Sequence, residues 1–92
     1  MKKLQEAITE RLERANVERI AQWRLEASAY VAHKGVKCQF RRGVLLLSGR
    51  VPTYYHKQLA QEMIRSLPGV SAIVNEISVN RYAAMRRMRS SP

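Results

Sequence analysis

The chain has 92 residues, enough for one domain with one modest core, because a chain of this size buries only roughly 60–65% of the surface its unfolded form exposes. Its hydrophobic share of 46% is that of a globular protein, but 17 Lys and Arg stand against 7 Asp and Glu, a formal net charge of +10. Length excludes a second sizeable domain, and charge points to an anionic partner, whether lipid, nucleic acid or acidic protein.

From Lys2 to Tyr30 there is neither Gly nor Pro, and Leu4, Ile8, Leu12, Ala15, Ile20, Trp23, Ala27 and Tyr30 recur at the steps of a helix. Asn16 can cap a new helix, so the region reads as one long helix or as two with a break near Asn16. The favoured division is a helical extension over 1–15, then a helix over about 17–31 that opens the main domain, 16–80. Pairs such as Glu10 with Arg14, at i,i+4 spacing, describe a solvated face. The basic start meets no apolar run of the ~7–15 residues that mark a secretory signal. No stretch approaches the ~18 apolar residues of a membrane span. The expectation is a cytoplasmic address, with peripheral membrane contact left open.

Alternation in VKCQF places Val36, Cys38 and Phe40 on one side and Lys37, Gln39 and Arg41 on the other, a strand over 36–41. Arg42-Gly43 reads as a tight turn into a second strand over 44–51, giving an antiparallel hairpin. Pro52-Thr53 ends that strand, and Thr53 caps a helix reaching about Ser66, with Leu59, Ala60, Met63, Ile64 and Leu67 on its inner side. After Pro68-Gly69 a third strand spans 70–79, parallel to the second because a crossover helix separates them. The class is therefore α+β, αββαβ, with a three-stranded mixed sheet and both helices on one face. That face is expected to bury Cys38, Phe40, Leu45, Leu47, Val51, Ile73, Ile77 and Val79, leaving Val44, Leu46 and Val74 as an apolar interaction face on the other.

The run Gly43-Val44-Leu45-Leu46-Leu47-Ser48-Gly49-Arg50-Val51, then Ala60, then Gly69-Val70 leading through Ile73-Val74-Asn75 to Ile77 and Val79, resembles the BON domain, the module named for bacterial osmotic-shock and nodulation proteins. The resemblance implies the αββαβ fold in a single copy and a role in contacting phospholipid or envelope partners. Within it Gly43, Gly49, Gly69 and Asn75 are scaffold positions. Gly43 is expected to permit the hairpin turn, Gly49 to let the crossover helix approach, and Gly69 to end that helix.

Charge is uneven along the chain: residues 1–30 hold six basic and five acidic groups, 31–80 seven and two, and 81–92 four and none. The excess points to Arg41, Arg42, Arg50, Lys57, Arg81, Arg86, Arg87 and Arg89 as the candidate surface for an anionic ligand. Tyr54 joins them, because its ring aligns with the outward Gln58, Gln61 and Arg65 of the second helix. Tyr55 is expected to turn towards the core, His56 to be half-buried, and His33 to sit in a loop. Cys38, the single cysteine, reads as a small core residue that forms no internal disulfide. In the basic tail, 81–92, Tyr82, Met85 and Met88 form a stripe that either lies on an anionic membrane or, ranked first, frays or folds back.

No paired carboxylates, phosphate loop or dinucleotide loop occurs, so neither catalysis, a cofactor nor a metal is indicated. The favoured function is a non-catalytic module for anionic phospholipid. The alternative is a cytoplasmic protein-interaction or self-association module with an acidic partner or a second copy. Nucleic acid ranks third, since none of the four glycines makes the G-x-x-G loop of KH modules.

Overall fold

A computed structural model describes residues 2–80 of the chain. Helix α1 spans Lys2–Glu26, and a 3-10 turn follows at Val31–Gly35. Next come β1 (Lys37–Arg41), β2 (Val44–Ser48), β3 (Arg50–Val51), α2 (Tyr54–Met63), β4 (Ala72–Asn75) and β5 (Ser78–Val79). The main sheet has the order β1-β2-β4, with β1 antiparallel and β4 parallel to the central β2, as expected. Two of the expected strands are interrupted. Beyond Gly49 the chain continues as β3, which pairs in parallel with β5.

Gly49 causes the interruption. Its φ of +132° is open only to glycine, and a Cβ there would lie 2.9 Å from the Gly35 carbonyl oxygen. The close approach is therefore made by the 3-10 turn and not, as the sequence suggested, by the crossover helix.

Alternation in the strands sends Phe40, Leu45, Leu47 and Val51 into one core with Ile77 between β4 and β5, Ala21 and Leu25 of α1, Ala60 of α2 and Ile64 at its C-cap. Both helices thus cover the same sheet face. Cys38, Ile73 and Val79 pack against this core and stay partly exposed.

Helix α1 has no break at Asn16, and it ends five residues earlier than expected. Ser28 is the reason, since its hydroxyl accepts the Tyr30 N–H at 3.1 Å and offers the backbone a turn in place of another helical bond. The face that packs is also different, with Val17, Ala21 and Leu25 inward while Ile20 and Trp23 are exposed. Polar side chains decide this orientation. Gln22 Nε2 donates to the Val36 carbonyl at 2.9 Å, and the Phe40 N–H of the β1 edge donates to Glu18 Oε2 at 2.8 Å. An amphipathic count places such groups outside, but here they occupy the strand's outward-facing backbone.

Candidate anion-binding surfaces

Because Gln22 meets Val36 and Glu18 meets Phe40, α1 lies antiparallel to β1. Its N-terminal half is thereby carried past the β1–β2 turn. Between them lies a cleft of about 670 Å³ whose lining includes Arg11 and Arg14 of α1 with Arg41 and Arg42 of the hairpin. Glu10 and Glu13 line it too, and Phe40 forms part of its wall. Among the described residues the ion pair found within 4.0 Å is Arg65 with Glu62, so none of the four arginines is paired with a carboxylate. The sequence reading named Arg41 and Arg42 as candidates for an anionic ligand and placed Arg14 on a solvated helix face; the structure brings the three to one cleft. Local spacing carries no signal for a contact across nearly thirty positions.

The turn itself is tight. Arg42 has φ 47° and Gly43 φ 84°, the two positive values of a type I′ hairpin turn. Gly43 is needed there, and a Cβ on it would also lie 2.7 Å from Ser71 Oγ. Arginine has no such freedom, and holding it in the left-handed region costs about 1 kcal/mol. The Ser71 N–H and hydroxyl donate to the Gly43 carbonyl at 2.7 and 3.0 Å and pin the turn to the start of β4.

Arg50, Tyr54 and Lys57 lie past the other end of β2, on the order of 20 Å from the Arg41–Arg42 turn at ~3.3 Å per strand residue. The structure therefore divides the candidate basic surface in two. At this second end Tyr54 is 64% exposed, with Lys57 Nζ 5.7 Å from its ring centroid. Tyr55 does not turn into the core. It is 60% exposed and meets Tyr30 edge-on, ring centroids 6.0 Å apart and hydroxyls at 3.5 Å. That hydroxyl contact raises the Tyr30 phenol above its ordinary pKa.

The inward place is taken by histidines. His33 is not a loop residue open to water: it is wholly buried in the 3-10 turn. Its Nε2 donates to the His56 carbonyl at 2.8 Å, since a carbonyl only accepts, and its Nδ1 stands 2.8 Å from the Ser28 hydroxyl. His56 is half-buried as expected. Thr53 caps α2 by accepting the His56 N–H at 3.2 Å, and its hydroxyl also lies 2.6 Å from His56 Nδ1. Burial, and then the neighbouring His33, lowers the pKa of His56.

The sheet face opposite the helices carries Val44, 38% exposed, and Val74, 42% exposed, with Leu46 between them and paired to Val74 in register. Asn75 ends β4 by donating from Nδ2 to the Lys57 carbonyl at 3.0 Å and to Gln61 Oε1 at 3.2 Å, and its Oδ1 accepts the Ile77 N–H. Gly69 does not end α2. With Pro68 it forms the centre of a turn closed by the Val70 N–H on the Leu67 carbonyl, while Ser66, at φ 66°, sits at the end of the helical turns. Cys38 is half-buried, and its thiol donates to Gln22 Oε1 at 3.3 Å. Burial first, then Glu18 and Glu26, pushes that thiol up to about 11. Arg81, Arg86, Arg87 and Arg89, with the Tyr82, Met85 and Met88 stripe, lie outside the described residues.

The family model of the BON domain matches residues 14–81 as one copy. The chain belongs to the BON domain family. No curated protein matches it. The BON match begins inside α1, so the cleft with the four arginines draws Arg14, Arg41 and Arg42 from the matched region and Arg11 from the helix before it. BON domains are in general non-catalytic binding modules. Among the described residues no helix is long and apolar enough to cross a membrane.

Proposed function

We propose that this BON domain is a non-catalytic module that binds anionic phospholipid surfaces peripherally, from a cytoplasmic address. The observation that carries the reading is the aromatic and basic end of the domain, where Tyr54 and Tyr55 stand more than half exposed beside Lys57. Tyrosine rings are apolar at the face and wet at the hydroxyl, which suits the headgroup boundary, while each nearby lysine or arginine adds on the order of 1 kcal/mol on an anionic leaflet. Arg50 and the arginines at 81, 86, 87 and 89 add to that attraction, and family membership supports the same class of partner.

Co-sedimentation with phosphatidylglycerol vesicles at low salt tests the proposal, with phosphatidylcholine vesicles as reference. Binding restricted to the anionic vesicles, and weakened severalfold by replacing Tyr54 and Tyr55 with alanine, is the expected result. Equal recovery with both vesicle types would remove the reading.

A second reading is self-association through Val44, Leu46 and Val74, favoured by their open position on the sheet face. Sedimentation analysis that finds a monomer at high concentration excludes it.

A further inference from the structure

The cleft between α1 and the hairpin lies at the opposite end of β2 from the aromatic surface and plays no part in the proposed membrane contact. At about 670 Å³ it has the size of a small-molecule pocket. Four arginines line it against two glutamates, and none of the four is ion-paired among the described residues. The cleft between α2 and β4 differs in this respect, because its arginine, Arg65, is held by Glu62 at 3.4 Å. Gathering unpaired like charges in one concavity opposes folding unless an anion enters.

A second, independent observation comes from the backbone. Arg42 keeps a left-handed φ of 47° at a turn position that asparagine or glycine would occupy without strain. A strained residue held in place by its surroundings is a sign of function when its side chain points to a use. Here that use is a fourth guanidinium at the cleft.

We infer that this cleft is a discrete site for a compact ligand carrying two or more adjacent phosphate groups, held by Arg11, Arg14, Arg41 and Arg42. Guanidinium forks match phosphate oxygens in pairs, and four forks offer more donors than the oxygens of one phosphate accept. The clustered phosphates come either from a soluble polyphosphate or from a diphosphate lipid headgroup, and both present the same oxygens to the arginines.

Calorimetric titration of the full chain with sodium tripolyphosphate tests the site, with sodium sulfate at matched ionic strength as reference. The expected result is saturable one-to-one binding well above that of sulfate. Arg42→Asn removes a guanidinium and relieves the turn, so affinity falls about tenfold while the melting temperature is held or raised. Arg14→Gln weakens binding to a similar degree from the helix side. Vesicles of phosphatidylcholine and cardiolipin form the second arm: retention that depends on Arg42 and Arg14, without tripolyphosphate binding, assigns the site to a lipid headgroup. Replacing Tyr54 and Tyr55 with alanine leaves the tripolyphosphate affinity unchanged, so failure of the membrane reading and failure of this one remain distinct. Binding of both probes that is indifferent to Arg42→Asn and Arg14→Gln, or tripolyphosphate binding no stronger than that of sulfate together with cardiolipin retention that is indifferent to both substitutions, overturns the inference.

Discussion

His33 Nε2 lies 2.8 Å from the backbone oxygen of His56 and ties the 3-10 turn to the first turn of α2. The ring is fully buried and also meets Ser28, so both nitrogens are satisfied inside the protein. His33→Ala removes both partners and leaves a void, and it is expected to lower stability by about 2–4 kcal/mol in urea unfolding. A change near zero would show that the histidine does not join these elements.

Acid should loosen the same region. His56 faces His33, Tyr30, Tyr55 and Thr53, and its pKa is lowered from the ordinary 6.5, first by burial and then by His33. Above 6.5 neither folded nor unfolded chain protonates it, and below that value the unfolded chain takes up the proton first. Stability is therefore present above the unfolded pKa and is lost as pH falls towards the folded one. Unfolding midpoints measured from about pH 7 to pH 5 should decline, and His56→Gln should flatten the decline.

Cys38 should be a slow nucleophile. With its thiol pushed up from 9.0 to about 11, the thiolate fraction at neutral pH is about a hundredfold lower than for the unperturbed group. Alkylation followed by mass spectrometry should be slow in the native protein and fast after unfolding. Stability should also fall as pH rises from 9.0 towards 11, because the unfolded chain ionises this thiol first.

Gly49→Ala is expected to destabilise the fold by at least about 2 kcal/mol, since it adds strain at a positive φ to a clash with backbone. The new Cβ would lie 2.9 Å from the Gly35 carbonyl oxygen and 3.2 Å from Val36 Cα. A thermal melt resolves the loss. Gly35→Ala, where a Cβ meets nothing within 4 Å, is the control and should change little.

Much of the scaffold was legible in the residues alone. Strand alternation assigned Phe40, Leu45, Leu47, Val51 and Ile77 to the core, and Pro and Gly punctuation placed the hairpin and the crossover. These are local patterns with a period of two or of about 3.6, and burial enforces them. Arg41 and Arg42 were likewise legible as exposed charge at a turn.

Tertiary structure decided what depends on contacts distant in the chain. Counting apolar residues on α1 chose the line through Ile20 and Trp23, because Glu18 and Gln22 look like solvent-facing groups until the edge of β1 supplies backbone partners. The same crossing of α1 over β1 brings Arg11 and Arg14 to Arg41 and Arg42, and the 3-10 turn, docked on α2, buries His33 where no sequence period marks it. Helical and strand periods record which side of an element is buried, but they do not record which other element lies against it. That pairing depends on long-range hydrogen bonds and packing, and the arginine cleft exists only through it.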